Sequence, residues 1–393
     1  MKIAQICPRY SPDIGGVETH VKEISERLVK AGHAVEVITT DSTGKLSRRD
    51  NINGVKVIRF RSFAPGNAYF ISPQIYFYLR KHNFDVIHAH SYHALPALFA
   101  AFGKYGRRFV FTPHYHRSGH TAFRDLLHKP YRLFGKTIFA RADSVICVSE
   151  YEKKLIEADF RVSGKTVKIP NGINLAEFEY LRARKKKDSI QWKTEKIITG
   201  KKTIDEEYTG KGKTQKGKLE KKSEKEKVLL YVGRLEEYKG VQYIIQSLPE
   251  LKEFRFKVVG KGPYEAELHS MAKDLGVEKK IDWLKDLSRK ELLECYADAD
   301  IFLMLSSHEA YGITVAEALA AGTPSVVAKG SALEEFIDGT RCLGAENPIK
   351  KEELIKLINQ IKDMKQENKF IMDNLTIFDW DCITKQIENV YNN

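Results

Sequence analysis

Cysteine is scarce in this chain of 393 residues, and what there is does not cluster. The five cysteines (Cys7, Cys147, Cys295, Cys342 and Cys382) are odd in number and never stand in a Cys-x-x-Cys spacing. That indicates neither a zinc ribbon nor a disulfide framework and suits a reducing, cytoplasmic setting. Long apolar runs are missing too: none reaches the roughly 18 residues that cross a membrane as a helix. The opening residues, MKIAQI, read directly as a strand, so no secretory leader is expected. No Ser-His-Asp or Cys-His arrangement points to a protein nucleophile. The first turn, PRYSPDIGGVETH, lacks the Gly-x-Gly-x-x-Gly of a nicotinamide site.

Acidic residues are outnumbered, 52 to 65 Lys and Arg, giving a net charge of +13. That excess would suit nucleic acid if it were spread over a face, but residues 181–227 hold 17 Lys and Arg against 8 Asp and Glu, a net of +9. Only +4 remains for the other 346 residues, so no nucleic-acid partner is expected.

What is present is alternation. KIAQICP, AVEVITT, VKVIRF, DVIHAH, RFVFTPH, SVICVS and KTVKIPN read as strands. The stretch 17–32 reads as an amphipathic helix with Val17, Val21, Ile24 and Leu28 on one face. After the lysine-rich stretch the pattern restarts with VLLYVGR, FRFKVVG, KIDWL, IFLML and SVVA. Alternation of this kind predicts parallel sheets with helices on both faces, here in two Rossmann-like, doubly wound α/β domains. The expected division is 1–178, a low-hydrophobicity insertion over 179–227, a second domain over 228–370 and a terminal segment over 371–393.

The stretch Ser306–Val327, SSHEAYGITVAEALAAGTPSVV, lies between two apolar strands. Its loop is therefore expected at the carboxyl end of a parallel sheet, where open α/β folds bind ligands. Glu309 and Glu317 flank Tyr311-Gly312 there, and ionised carboxylates accept hydrogen bonds from sugar or ribose hydroxyls. Arg234 and Lys239, in GRLEEYKG, follow the opening strand of the second half, where cations could meet a diphosphate's charge without a metal. Gly15-Gly16 stands between the first strand and helix, where glycine lets a backbone approach an anion. His114 ends a strand.

The string Ser306, Glu309, Tyr311-Gly312, Glu317-Ala318-Leu319-Ala320-Ala321-Gly322-Thr323-Pro324 resembles the donor-binding signature of family-4 retaining glycosyltransferases. The departures are Tyr311 where Phe is common and Leu319 where Met is common. The resemblance implies the GT-B fold: two facing domains with a cleft between them, the first binding acceptor and the second nucleotide sugar. It also implies a terminal helix, near Asp379–Tyr391, that crosses back to the first domain. It assigns Glu309 to the donor sugar, Glu317 to the ribose, and Arg234 and Lys239 to the diphosphate. Gly15 and Gly16 would face phosphate and acceptor, Gly260-Lys261-Gly262-Pro263 would form a turn on the nucleotide, and His114 would lie near the reacting centre. Ser149 and Asn171-Gly172 match further family strings.

The implied reaction transfers a hexosyl or N-acetylhexosaminyl group from a nucleotide sugar, a UDP-sugar before GDP-mannose, to a glycan or lipid-linked acceptor. It proceeds by front-face attack with no metal. Asp298-Ala299-Asp300 and Asp379-Trp380-Asp381 read as structural rather than metal-binding. A basic amphipathic stretch over 117–136 suits an anionic surface at the inner membrane, although Pro130 breaks it and a helix packed on its own domain fits equally. Other GT-B chemistry (epimerase, phosphorylase) and a polyanion-binding role for the insertion are the alternatives.

Overall fold

The computed structural model describes residues 1–117, 122–181, 226–366 and 377–393. Nearly all of the lysine-rich insertion, together with His120, lies outside the described residues.

The first sheet has eight strands: β1 (Lys2–Ile6), β2 (Ala34–Asp41), β3 (Arg49–Ile52), β4 (Val55–Arg61), β5 (Val86–His90), β6 (Arg108–Thr112), β7 (Ser144–Cys147) and β8 (Thr166–Lys168). Their order is β3-β4-β2-β1-β5-β6-β7-β8, parallel except for the β3–β4 hairpin. The hairpin turns at Asn53-Gly54, both with positive φ (52° and 85°), as a tight two-residue turn requires. Strand β5 is buried throughout, and β1, β6 and β7 are buried beyond their first residue, as expected of strands covered on both faces. Helix α1 (Gly16–Lys30) buries Val21, Ile24 and Leu28, as its spacing predicts, and also buries Glu18 and His20, which the apolar pattern does not reveal.

The second sheet has six strands: β9 (Lys227–Val232), β10 (Phe254–Val259), β11 (Ile281–Leu284), β12 (Ile301–Met304), β13 (Ser325–Ala328) and β14 (Cys342–Ala345). All are parallel, in the order β11-β10-β9-β12-β13-β14. Each sheet thus reverses its winding once, between β1 and β5 in the first and between β9 and β12 in the second. In such folds the crevice beyond the strand ends at that reversal receives ligand.

The last helix (Trp380–Asn392) packs on the first domain. Trp380, Ile383, Ile387 and Tyr391 join the core formed by Ile3, Val21, Ile24 and Leu28. Burying each of the two isoleucines contributes about 1.5–3 kcal/mol. Asp379 starts this helix, its side chain accepting from the Asp381 amide, and also accepts from the Leu175 amide at 3.0 Å. The other Asp-x-Asp string ends a helix (Arg289–Asp298), and Asp300 accepts from the Val228 amide at 2.9 Å. The crossing terminal helix is thus held at its start by hydrogen bonds and along its length by apolar burial.

Candidate active site

The second domain's site is built where β9 and β12 end. The chain leaving β9 is clamped by a neighbouring turn: the Gly233 amide donates to Val259 and the Leu235 amide to Lys261. A Cβ at Gly260 would lie 1.9 Å from the Gly233 carbonyl oxygen, and one at Gly262 would lie 2.2 Å from that of Leu235. Glycine is therefore demanded here by backbone-to-backbone contact. Gly240, with φ of 78°, likewise sits against the Leu305 carbonyl, where a Cβ would come within 2.4 Å. That contact draws the turn Glu237–Lys239 against the end of β12, and the Ser307 amide donates to the Tyr238 carbonyl at 3.0 Å.

The result is a close ion pair: Lys239 Nζ donates to Glu309 Oε1 at 2.5 Å, with side chains only 14% and 18% exposed. Burial alone would lower the ammonium's pKa, but Glu309 and then Tyr238 outweigh it, and the Lys239 pKa is raised. Arg234 points elsewhere. Its guanidinium pairs with Glu236 at 2.5 Å and is more than half exposed, so a paired but solvent-accessible cation stands at the rim.

Beyond Glu309 the loop reaches Gly312, whose φ of 112° only glycine adopts readily. A short helix (Ile313–Ala320) begins there with no side-chain cap. Its first amides therefore face the loop without a side-chain acceptor, which favours an anion. Glu317, on the buried side of this helix, accepts from Arg289 Nη1 at 2.6 Å and from the Tyr296 hydroxyl at 2.9 Å. The loop is also tied to the turn that follows β13, and that turn reaches the first domain. The Ala332 amide donates to the Glu309 carbonyl. Glu335, in the adjacent turn, accepts from the Tyr151 amide at 3.0 Å and from Lys168 at 2.8 Å.

In the first domain, the strand ends at the switch point carry histidines. His114 has a positive φ of 48° and its ring centre lies 5.2 Å from that of His20, which lies 5.3 Å from that of His90. Each ring has a buried nitrogen without a hydrogen-bond partner: His20 Nε2, His90 Nδ1 and His114 Nε2. The three histidines' ligating nitrogens lie within 4.8 Å of one another, a donor set able to hold a transition-metal ion. His20 Nδ1 is bonded to Asn171 Oδ1 at 2.7 Å, and His90 Nε2 to Gln5 Oε1 at 2.7 Å. Burial pushes all three imidazoles below their ordinary value of 6.5, His20 to about 4. Helix α1 starts at Gly15-Gly16, also uncapped by a side chain. Glu18 folds back over it and pairs with Arg9 at 2.9 Å.

Family models match both halves: "Glycosyltransferase Family 4" over residues 14–177 and "Glycosyl transferases group 1" over residues 213–374. The chain is a family-4 glycosyltransferase with the GT-B fold. Over its whole length it is 27% identical to an uncharacterized glycosyltransferase of Methanocaldococcus jannaschii, of which it covers 98%. It is 26% identical to the alpha-monoglucosyldiacylglycerol synthase of Streptococcus pneumoniae, with 88% of this chain and 75% of that one aligned. Among solved structures, it is similar to a sucrose-phosphate synthase from Thermosynechococcus elongatus (TM-score 0.75, 18% identity, 100% and 98% covered). It is also similar to Anabaena HepE in complex with UDP and glucose (TM-score 0.71, 19% identity, both chains fully covered).

The glycosyltransferase brings Glu309, Lys239, Tyr311 and Gly312 onto adjoining loops. Tyr311 is buried and packs edge-on against Phe336, at 5.3 Å between ring centres. Arg234 shares the strand end, but its side chain turns to Glu236. Gly260 and Gly262 meet backbone rather than an open cradle. Ser149 caps helix Glu150–Phe160 by accepting from the Glu152 amide at 3.0 Å. Gly172 sits under Trp380, whose amide a Cβ would approach to 2.7 Å. His116 lies beside His93, at 4.1 Å between ring centres, apart from the His20–His114 group. Arg289, Tyr296, His20 and His90 were not singled out from the sequence. The capping box Ser288–Glu291 announces the helix that carries Arg289 and Tyr296, but nothing local shows where that helix points. Among the described residues no helix is long and apolar enough to cross a membrane.

Proposed function

We propose that this glycosyltransferase moves a hexosyl or N-acetylhexosaminyl group from a nucleoside diphosphate sugar to a sugar or lipid-linked acceptor, with retention and without a metal. The observation that carries this reading is the Lys239–Glu309 pair at the second domain's switch point, next to an uncapped helix start and the exposed Arg234, itself paired with Glu236. As the glycosidic bond breaks, the leaving diphosphate gains negative charge. Lys239, Arg234 and the amides after Gly312 would stabilise that charge directly. Glu309 would accept from donor sugar hydroxyls with its remaining lone pairs, and Glu317 from the ribose. His114, neutral and at the end of β6, would line the opposite wall. In a front-face reaction without a covalent step on the protein, the departing phosphate oxygen would take the acceptor's proton on the same face, which preserves the anomeric configuration.

The donor order, UDP-sugar before GDP-mannose, is supported by the UDP bound in the HepE structure. A lipid-linked acceptor is supported by the relatives' names: the diacylglycerol enzyme above, and a phosphatidylinositol N-acetylglucosaminyltransferase subunit of Saccharomyces cerevisiae at 23% identity. Such an acceptor would be met at a membrane's cytoplasmic face, where the exposed Leu133 and Phe134 could touch lipid.

The test is the anomeric configuration of the first-formed product, followed by NMR with EDTA present throughout. Retention at undiminished rate in EDTA is expected. An inverted product, or activity abolished by EDTA and restored by a divalent ion, would overturn the mechanism.

A further inference from the structure

Glu317 is held in a way the proposed reaction does not by itself require. One helix (Arg289–Asp298) supplies both of its partners: Arg289 in the first turn and Tyr296 two turns later, on the same face. Tyr296 is fully buried and donates to Glu317 Oε2; Arg289 Nη1 donates to Oε1. The guanidinium's other edge is also engaged. Its Nε and Nη2 donate to Glu177 Oε2 at 3.0 and 2.7 Å, and its centre lies 5.8 Å from the ring of buried Phe178. Glu177 and Phe178 belong to the segment that follows the first sheet and packs against the second domain's core. Arg289 is therefore fixed from two sides by carboxylates on different parts of the chain, and its fork geometry transmits that fixation to Glu317.

A carboxylate has about four acceptor sites. Arg289 and Tyr296 occupy one on each oxygen of Glu317, leaving a lone pair on each. Two neighbouring hydroxyls, as on a ribose, could donate to these only if the carboxylate plane is held and its charge retained. We propose that Arg289 is a positioning residue for nucleotide recognition: braced by Glu177, it orients Glu317 to accept the ribose hydroxyls. This inference rests on the assignment of Glu317 to the ribose.

The proposal separates from a merely structural role by asking whether the hydroxyls are sensed. UDP, GDP and ADP, and their 2′,3′-dideoxy counterparts, are titrated into wild type, Arg289→Ala, Arg289→Lys and Glu177→Gln by calorimetry. For the diphosphate that binds wild type, removing the hydroxyls is expected to weaken binding about tenfold or more, the size of a hydrogen bond to a charged group. In Arg289→Ala that discrimination should collapse to less than about threefold, with Arg289→Lys intermediate and Glu177→Gln reduced. With donor, the Arg289→Ala defect should appear mainly in KM. Full discrimination in a folded Arg289→Ala protein would overturn the proposal while leaving the ribose assignment intact. Should that variant fail to fold, undiminished discrimination in both Arg289→Lys and Glu177→Gln would overturn it equally. Wild type that does not distinguish ribose from dideoxyribose would overturn the ribose assignment itself, and the proposal with it.

Discussion

Lys239→Met is expected to lower kcat about 100- to 1,000-fold, the usual cost of removing one preorganised group that meets developing charge. Methionine keeps much of the volume and removes the charge, so the change should fall on the reaction more than on packing. Ground-state donor binding should suffer less than kcat, because the diphosphate's charge is greatest as it leaves. Stability should drop as well, since Glu309 loses its partner. That pair is 14% and 18% exposed, so the loss should fall short of the 3–5 kcal/mol typical of a fully buried charge left unpaired. Glu309→Gln makes a companion test. Burial works against the Lys239 charge and Glu309 restores it, so neutralising Glu309 lowers the lysine's pKa. The alkaline limb of the pH–rate profile should then move to lower pH. Unchanged kcat in a folded Lys239→Met protein would remove this lysine from the mechanism.

A second large effect concerns acid. His20, His88, His90 and His114 are buried near one another, and the His88 and His90 rings are 4.1 Å apart. Their partners suit neutral rings: His88 is bonded to the Tyr391 hydroxyl and Thr112 Oγ1, both at 2.7 Å, and Gln5 Nε2 donates to the same tyrosine at 2.9 Å. Burial first, and then the other histidines, drives the pKa values of His88, His90 and His114 well below 6.5. Burial takes His20 to about 4. In the unfolded chain these groups take up protons at about 6.5, and in the folded chain only at much lower pH. Below pH 6.5 the unfolded state therefore binds more protons, so stability falls as pH drops from about 6.5 toward 4.

His20 alone corresponds to roughly 3 kcal/mol across that interval. Glu152 acts in the opposite sense. Burial, offset in part by bonds from the Tyr115 and Val148 amides, raises its pKa to about 8. Its contribution is present below 4.5 and lost as pH rises through 8. One group opposes four, so denaturant midpoints should decrease from pH 7 to pH 5, above the range where most carboxylates titrate. A flat profile there would mean that the histidines are not held neutral.

The fold was legible because both halves spell it in strands of uniform type. The alternation of apolar strands with amphipathic helices implied parallel sheets, and the sheets are wound as that implies. Two strands escaped: β3 is polar and lies at an edge, though Asn53-Gly54 advertised its hairpin, and β14 (Cys342–Ala345) is only four residues long. The Lys239–Glu309 meeting was readable in outline, since both follow strands that a doubly wound order brings side by side. Arg289 was not, because it stands 28 positions from Glu317 and only the tertiary direction of its helix joins them. His20 and His90 escaped for a related reason. His20 lies on a helix whose apolar stripe gives no hint of it, and three separate elements bring His20, His90 and His114 together.

The central claim is that the loops after β9 and β12 turn over a nucleotide sugar. The most direct measurement is release of nucleoside diphosphate from UDP-, GDP- and ADP-sugars, with EDTA present, by wild type and by Lys239→Met. The account predicts slow catalytic release from one of them, UDP-sugar first, together with thermal stabilisation by the same nucleotide, and loss of release in the variant. No release from and no stabilisation by any of the three with folded protein, or release undiminished in Lys239→Met, would contradict it.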